Sequence, residues 1–236
     1  MKDLLSIDWD YFIATRSGQC FSYSETKRTA VDLWYKRYLR LKAYGKNIQN
    51  LYYLSPDVKE FWTQIKAVFQ IDERAKVYVS DSHMLSYYIA EHHRCQRVYL
   101  FDAHADLGYS VPKSLEFEVN CGNWLGRLLK EKIIQSAHII YSPFTNEKPT
   151  NFAELNRIYA ISYPTLEQLK QEKPISNVTA VHICRSGAWT PPWYDYDFKQ
   201  FVEDLGRPYQ VIKCPLRDWN PTQLTLADEL ELMLGS

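Results

Sequence analysis

The chain has 236 residues, and its 28 Lys and Arg residues balance its 28 Asp and Glu residues, so no overall field attracts nucleic acid or an acidic membrane surface. No apolar run approaches the roughly 18 residues that a membrane-spanning helix needs. The five cysteines are scattered without a CxxC pair, which indicates reduced thiols. With an N-terminus unlike a cleaved signal, this favours a cytoplasmic protein.

Short apolar runs alternate with helical patterns along the chain. The runs are rich in Val, Ile, Leu and Tyr with little polar alternation, as expected for strands with both sheet faces covered. The predicted strands are 3–8, 50–54, 76–80, 97–102, 137–141, 157–161, 178–184 and 209–213. The predicted helices are 24–43, 56–70, 83–93, 121–134, 165–172, 195–205 and 222–234.

Strands that alternate with helices predict βαβ units and a mainly parallel sheet. We therefore expect a three-layer α/β/α fold with about eight strands. No repeat, linker or low-complexity tract interrupts the pattern, so a single domain over residues 1–236 is expected. The longest segment without a clear element, 103–120, is expected to be a loop that covers a substrate.

One motif combines three metal-competent side chains at the end of a predicted strand. Asp102, His104 and Asp106 alternate directly after the apolar run 98–101. An extended backbone sends alternate side chains to the same side, so the three groups emerge together. Burying them side by side without a cation would cost considerable free energy. The motif therefore indicates a metal site.

Two further strand ends carry similar residues. Asp8 and Asp10 follow the run 4–7, and His83 follows the run 77–79. Ligands of open α/β sheets gather beyond the carboxyl ends of the strands. We therefore expect all these side chains to form one centre with two cations. The predicted metal ligands are Asp8, Asp10, His83, Asp102, His104 and Asp106.

The predicted ligand set mixes carboxylates with imidazoles, which suits Mn²⁺, Fe²⁺ or Zn²⁺, and its excess of oxygen donors favours Mn²⁺. Two such cations can share carboxylates and lower the pKa of a water molecule between them. Other Asp and His residues are expected to be structural. A single Asp at a strand end usually forms a cap or turn, as expected of Asp3 and Asp81. His92, His93 and His138 are expected on the surface or in the core.

Three motifs resemble signatures of the arginase-like ureohydrolases. Residues 102–106 read DAHAD and resemble the family's DAHxD, and residues 6–10 read SIDWD and resemble its SxDxD. Residues 81–83 resemble the Asp-His that supplies its first metal-binding histidine. The resemblance implies two Mn²⁺ ions: His83 and Asp106 would hold one, His104 and Asp10 the other, and Asp8 and Asp102 would bridge them.

The order of the motifs is similar to a circularly permuted, divergent branch that contains bacterial peptide arginases, because SxDxD comes first rather than near the C-terminus. Residues 181–192 also resemble that branch, and residues 121–126 resemble the family's Gly-Asn stretch. Those enzymes convert arginine residues of ribosomally made precursor peptides into ornithine and release urea. The resemblance implies the same reaction here, with an arginine-containing precursor peptide as partner.

Two positions depart from the family pattern. Leu125 stands where the family has a histidine thought to shuttle protons, and no acid around 184–186 matches the one that holds the substrate guanidinium. These departures favour a substrate other than free arginine. The candidates for proton transfer are Asp106 and His182, and those for substrate contact are Asn123 and Ser186.

Several alternatives remain open at this point. Asn123 and Ser186 fit a helix cap and a turn as well as substrate contacts. Trp124, Trp189 and Trp193 fit either a peptide groove or core packing. The alternative functions are a ureohydrolase of a small guanidino compound, a deacetylase-like amidohydrolase that normally keeps one metal, and a non-catalytic arginase-like protein that binds a peptide.

Overall fold

The computed structural model of the protein describes residues 1–15, 30–109, 112–171 and 174–234. Within these residues, nine strands and eight α-helices follow one another. The strands are β1 (Asp3–Asp8), β2 (Ile13–Thr15), β3 (Tyr52–Leu54), β4 (Phe69–Ser80), β5 (Arg97–Asp102), β6 (Ser136–Tyr141), β7 (Ile161–Ser162), β8 (Ile175–Cys184) and β9 (Gln210–Ile212). The helices are α1 (Ala30–Ala43), α2 (Phe61–Val68), α3 (Leu85–His93), α4 (Trp124–Lys130), α5 (Ala153–Ile158), α6 (Leu166–Gln171), α7 (Asp195–Asp204) and α8 (Leu226–Leu234).

Seven strands form the central sheet in the order β7-β6-β5-β1-β8-β4-β9, and every adjacent pair is parallel. This sheet confirms the predicted α/β fold. β1 lies in the middle, between β5 and β8. Because parallel strands end at the same edge of a sheet, the segments that follow β1, β4 and β5 meet in space.

The central strand β1 shows why the fold has three layers. Leu5 and Ile7 pack on one side of the sheet with residues of α1, α2 and α7, and Leu4 packs on the other side with residues of α3 and α4. All six residues of β1 are buried, and its apolar residues face both sides of the sheet. Full burial of a Leu or Ile side chain contributes about 1.5–3 kcal/mol. The strands that carry the candidate site therefore lie in a firmly packed core.

The predicted strand 50–54 does not join the central sheet, so this sheet has seven strands rather than about eight. Only β3 forms there, and it pairs antiparallel with β2 as a separate two-stranded ribbon. Leu54 lies opposite Ile13 in this ribbon. β3 thus pairs with the short strand β2, which lies close to it in the fold, instead of extending the edge of the central sheet.

One other prediction is wrong in type, and a second differs at its ends. The segment 157–161 was expected to be a strand, but α5 continues to Ile158 and only the two residues of β7 pair with β6. The predicted helix 56–70 begins as a 3-10 turn and α2 ends at Val68. β4 begins at the next residue, because Phe69 pairs with the start of β8.

The predicted strands 3–8 and 97–102 coincide with β1 and β5, and the other predicted elements are present with different ends. Of the predicted helix 24–43, α1 forms the last part, and residues 24–29 lie outside the described residues, as does residue 172 of the predicted helix 165–172. The helix predicted at 121–134 is shortened to α4. In the part of the chain that the structure describes, no α-helix has the length and apolar character needed to cross a membrane.

Candidate metal centre

The candidate metal centre lies beyond the carboxyl ends of β1, β4 and β5. Asp8 is the last residue of β1, and Asp102 is the last residue of the neighbouring β5. Each carboxylate also stabilises a turn in the segment that follows its strand. Asp8 Oδ1 accepts a hydrogen bond from the backbone N of Asp10 at 3.0 Å, and Asp102 Oδ1 accepts one from the backbone N of His104 at 2.7 Å. These turns bring Asp10 and His104 back over the strand ends.

Four side chains form a buried set, the inner ligand group: Asp8, His83, Asp102 and Asp106. His83 Nδ1 lies 3.1 Å from an oxygen of Asp8, 3.1 Å from one of Asp102 and 2.9 Å from one of Asp106. Neither His83 Nδ1 nor Asp102 Oδ2 has a hydrogen bond with the described residues. Polar atoms that are buried and close together, yet not hydrogen-bonded, need another partner. A cation is such a partner.

Three side chains form the outer ligand group: Asp10, Asp102 and His104. His104 Nδ1 lies 3.0 Å from Asp10 Oδ2 and 3.6 Å from Asp102 Oδ1. The ligand atoms of this group lie within 4.8 Å of one another, as do those of Asp8, His83 and Asp102 in the inner group. Asp102 faces the inner histidine with one oxygen and the outer histidine with the other. The six residues selected from the sequence are thus brought together, and each group could hold a cation.

The electrostatics of the two groups fit divalent cations. Burial, together with the charge of Asp10, raises the pKa of Asp8 and of Asp102 above the ordinary value. Burial opposes a charge on His83 and His104, but the surrounding carboxylates reverse this effect and raise the pKa of both rings. The crowded negative charge therefore favours the protonated forms of these groups. Divalent cations would offset the same charge, and a set of oxygen and imidazole donors suits them.

Buried hydroxyl groups hold His83 from behind. His83 Nε2 is hydrogen-bonded to Ser6 Oγ at 2.8 Å, and Ser6 Oγ to Ser86 Oγ at 2.8 Å. Ser86 Oγ also contacts His182 Nδ1 at 2.5 Å, and the other ring nitrogen of His182 contacts Ser80 Oγ at 2.8 Å. Hydrogen bonds of this kind fix the ring of a metal-binding histidine. They leave His83 Nδ1 directed at the carboxylates.

His182 does not have the position expected of a proton carrier. It is fully buried, does not line the cavity described below, and has its ring centroid 5.9 Å from that of His83. Alternation along β8 turns this ring toward Ser86 on α3 rather than toward the end of the sheet. Burial, together with the charge of His83, lowers its pKa well below the ordinary value. His182 therefore supports the inner ligand group through hydrogen bonds.

Asp106 is held by the start of α4. Its Oδ2 accepts a hydrogen bond from Trp124 Nε1 at 2.5 Å, and its backbone oxygen accepts from the N–H groups of Leu125 and Gly126 at 3.1 and 3.2 Å. A Cβ on Gly126 would lie 2.9 Å from the backbone oxygen of Leu107, so this close approach requires glycine. The buried Leu125, at the position of the family's shuttle histidine, thus contributes its backbone rather than its side chain.

Ser186 orients a candidate metal ligand from the cavity wall. Its hydroxyl donates a hydrogen bond to Asp8 Oδ2, the oxygen that faces His83. The backbone of Ser186 has a φ of 49°, in the left-handed region that is unfavourable for most side chains. Neighbouring ion pairs stabilise this turn. The predicted substrate contact is therefore, in the structure, a contact with Asp8.

These ion pairs involve Asp81, which was expected only to cap a helix or form a turn. Arg185 is 1% exposed and donates from Nε to Asp81 Oδ1 at 2.8 Å and from Nη1 to Asp195 Oδ2 at 2.9 Å. Asp81 Oδ1 also accepts from the backbone N of Gly187 at 3.1 Å. Asp81 thus ties the end of β4 to the turn that carries Ser186. The expectation fails because the buried guanidinium of Arg185, directly after the adjacent strand β8, needs an opposite charge.

The remaining residues assigned to structural roles lie away from the centre. Asp3 neither caps nor turns the chain, because its buried carboxylate pairs with Arg97 at 2.7 and 2.8 Å. His93 is hydrogen-bonded to a tyrosine hydroxyl, and His138 stacks on an aromatic ring. Burial lowers the pKa of His138 to about 4. With His92, these histidines lie outside the cavity.

A cavity of about 170 Å³ opens onto both ligand groups. Tyr109, 59% exposed, and the half-buried Trp189 stand on its walls, and the ring of Trp189 lies 5.1 Å from that of His104. Part of the segment 103–120 therefore lines the cavity, although residues 110 and 111 lie outside the described residues. Besides the six candidate ligands, the walls comprise Gly108, Tyr109, Cys121, Gly122, Glu147, Ser186 and Trp189.

Asn123, the other candidate for substrate contact, does not line the cavity. Its Oδ1 accepts a hydrogen bond from the backbone N of Asn120 at 2.8 Å, and its Nδ2 donates to the backbone oxygen of Glu118 at 3.0 Å. The fully buried amide therefore organises the turn before α4. Trp124 and Trp193 also serve packing: Trp124 is fully buried, and Trp193 contacts several aromatic rings.

Glu147 is a cavity residue that no sequence pattern singled out. It lies in the irregular segment after β6, where no spacing links it to the metal motifs. Its Oε2 accepts hydrogen bonds from the backbone N of Ala105 at 2.8 Å and from the hydroxyl of Tyr141 at 3.3 Å. Burial raises the pKa of Glu147, and the nearby His104 acts in the opposite direction. The one feature of the sequence that points to Glu147 is its position after β6, the strand that pairs with β5.

Comparisons with known proteins do not assign the chain to a family. No family model matches it, and no curated protein or solved structure does. The resemblance to arginase-like ureohydrolases therefore remains a prediction from the motifs. The structure itself provides buried Asp and His residues that could hold metal.

Proposed function

We propose that the protein is a dinuclear metal hydrolase, with Mn²⁺ as the expected metal, that converts arginine residues of a precursor peptide into ornithine and releases urea. One observation carries this proposal: Asp102 offers one oxygen to each ligand group. Two cations side by side are the arrangement used by many metal-dependent hydrolases. The shared carboxylate supports this arrangement over a single-metal site of the deacetylase-like kind.

The proposed reaction consumes one water molecule and one peptidyl guanidinium cation, and it yields a peptidyl ammonium cation and urea. When bound, two divalent cations would lower the pKa of water and stabilise negative charge in the transition state. The residues of the chain hold the ligands for this chemistry, with Ser6 fixing His83 and Ser186 fixing Asp8. Asp106 lines the cavity, and we assign to it the transfer of a proton from the attacking water molecule to the leaving amine.

The lining of the cavity supports a peptide side chain, rather than free arginine, as substrate. In the part of the chain that the structure describes, no Lys or Arg lines the cavity. The α-carboxylate of free arginine would therefore lack a basic partner, and burying it unpaired would be unfavourable. A peptidyl arginine has no such carboxylate. Tyr109 and Trp189 offer aromatic surface to the flanking peptide.

Mass spectrometry of treated peptides tests this function. The full chain, loaded with Mn²⁺, is incubated with arginine-containing peptides, and hydrolysis lowers the peptide mass by about 42 Da for each arginine converted. Free arginine and agmatine are assayed for urea in parallel. Release of urea from these compounds, with every peptide unchanged, would instead identify a ureohydrolase of small guanidino compounds.

Metal content completes this test. Protein treated with a chelator is the control, and its activity should return when Mn²⁺ is added. Two tightly bound ions per chain without conversion of any guanidino compound would identify a non-catalytic metal-binding protein and would contradict the proposed reaction.

A further inference from the structure

Glu147 lies on the cavity wall without belonging to either ligand group. One of its oxygens, Oε2, accepts hydrogen bonds from the backbone N of Ala105 and from Tyr141. The other oxygen, Oε1, accepts none from the described residues. The carboxylate is thus fixed on one side and open on the other. Because Ala105 stands between His104 and Asp106, this contact places the carboxylate beside both ligand groups.

The charges of the cavity balance without Glu147. The four aspartates of the ligand groups carry four negative charges, and two divalent cations would cancel them. Glu147 is the remaining carboxylate among the described residues that line the cavity. A cationic substrate group that entered this space would be costly to bury without an opposite charge. Glu147 is in place to supply that charge.

We propose that Glu147 is the specificity-determining residue that binds the cationic side chain of the substrate. The identity of this cation as the guanidinium of a peptidyl arginine rests on the proposed hydrolase function. A planar guanidinium presents several N–H donors to a carboxylate, and hydrogen bonds between charged groups are stronger than neutral ones. The ureohydrolase pattern has a guanidinium-binding acid that finds no match around residues 184–186 of this chain. In this proposal Glu147, in the segment after β6, takes that role.

A purely structural role for Glu147 makes a different prediction. Its bond to Ala105 could serve only to hold the turn between His104 and Asp106. Glu147→Gln separates the two roles, because glutamine keeps an oxygen that accepts from Ala105 and Tyr141 but removes the charge. A matched control is Glu154→Gln, which removes an exposed carboxylate from α5, outside the cavity.

The test compares two peptides with blocked ends, acetyl-Gly-Arg-Gly amide and acetyl-Gly-citrulline-Gly amide. Citrulline replaces the guanidinium with a neutral urea group. For the Mn²⁺-loaded full chain, we expect Glu147→Gln to raise KM for the arginine peptide about 10- to 100-fold, which is the effect of losing a charged hydrogen bond. Inhibition by the citrulline peptide should change less than about threefold, and the Mn²⁺ content should stay unchanged.

Two results would overturn the inference. One is an unchanged KM for the arginine peptide in Glu147→Gln. The other is equal weakening of both peptides, with or without loss of Mn²⁺, because a structural residue affects neutral and charged ligands alike. Glu154→Gln should match the wild-type protein in all these measurements, so a similar change in that variant would also count against a specific role for Glu147.

Failure of the hydrolase function can be distinguished from failure of this inference. If the wild-type protein hydrolyses neither peptide, both are titrated into the Mn²⁺-loaded protein by calorimetry. Tighter binding of the arginine peptide that disappears in Glu147→Gln would support recognition of the cation without the reaction. Equal binding of the two peptides by the wild-type protein, or no binding of either, would overturn the inference as well.

Discussion

The inner and outer ligand groups share Asp102 but differ in their surroundings. The side chain of His83, in the inner group, is 2% exposed, whereas that of His104, in the outer group, is 39% exposed. The second nitrogen of His83 is bonded to the buried Ser6, whereas the ring of His104 packs beside Trp189 on the cavity wall. The inner group is thus continuous with the core, and the outer group faces the cavity.

If each group holds a cation as proposed, this difference predicts two sites of unequal strength. Ligands that are already held in place by buried hydrogen bonds need little reorganisation to bind a metal, which strengthens binding. A partly exposed ring is more accessible to water and to chelators. We therefore expect the inner site to fill first and to exchange more slowly. Substitutions in the inner group should affect both folding and metal binding, and those in the outer group mainly metal binding.

The largest effect is expected from Asp102→Asn, because this residue serves both groups. The amide keeps the volume of the side chain but removes the charge between the two proposed cations. Loss of residues that merely support metal ligands weakens metal affinity about 10- to 100-fold, so loss of a shared ligand should exceed about 100-fold. Metal analysis should show fewer than two ions per chain, and peptide conversion should fall below detection.

The matched control for this variant is Asp197→Asn, which removes an exposed carboxylate of α7. It should keep two ions and full activity. If Asp102→Asn also bound two ions with wild-type affinity, the carboxylate would not be shared.

The histidine variants His83→Ala and His104→Ala test the difference between the groups directly. Each should lower the affinity of its own site more than about 100-fold. His83→Ala also deletes a buried ring from the core, so it should lower the thermal unfolding temperature more than His104→Ala does. Metal titration and thermal unfolding of both variants provide the comparison. Equal destabilisation by the two variants would contradict the conclusion that His83 belongs to the core and His104 does not.

The metal-free protein should lose stability as the pH rises. Folding raises the pKa of Asp102, mainly through burial, and neighbouring carboxylates raise the pKa of His83 and His104 above 6.5 in spite of burial. A group whose pKa is raised by folding stabilises the protein fully below the unfolded pKa, and this contribution is lost as the pH rises through the folded value. For the two histidines the loss begins above pH 6.5.

Thermal unfolding between about pH 6 and about pH 9 measures this loss. The unfolding temperature of the metal-free protein should fall over this range, and saturating Mn²⁺ should reduce or reverse the fall, because the cations replace the retained protons. A metal-free protein whose stability rises with pH would show that the carboxylates are not crowded as described.

The smallest of these effects is expected from Ser186→Ala. This variant removes the hydrogen bond to Asp8 but leaves all six candidate ligands in place. The affinity of the inner site should fall about tenfold, at the lower end of the range for supporting residues. Competition with a fluorescent chelator measures the change. The outer site should be almost unaffected, and an equal loss at both sites would indicate a general disturbance of the cavity.

The candidate ligands could be predicted because strong local patterns place them. Asp8 and Asp102 each directly follow a short, mostly apolar run, and parallel strands end at one edge. His83 lies shortly beyond Ser80, the last residue of β4. Such residues are located by the sheet alone, without knowledge of the loops. The fold class followed from the same alternation of apolar runs and helical patterns.

The supporting and lining residues depend on contacts that local patterns do not encode. His182 seemed available for catalysis, but the register of β8 directs it toward Ser86 in the core. Glu147 has no periodic neighbour, and its role depends on how the segment after β6 returns to Ala105. Likewise, the sequence pattern predicts β3 as a strand of the central sheet. Its actual pairing with β2 depends on tertiary contacts that the pattern does not encode. Long-range geometry determines all three.

The most direct measurement of the central claim is anomalous diffraction from crystals of the protein grown with Mn²⁺. Two peaks are expected, one on each side of the Asp102 carboxylate. The first should lie next to His83, Asp8 and Asp106, and the second next to Asp10 and His104. A single peak remote from Asp102, or a structure in which Asp10 turns away from His104 while Mn²⁺ is present, would contradict a two-cation centre.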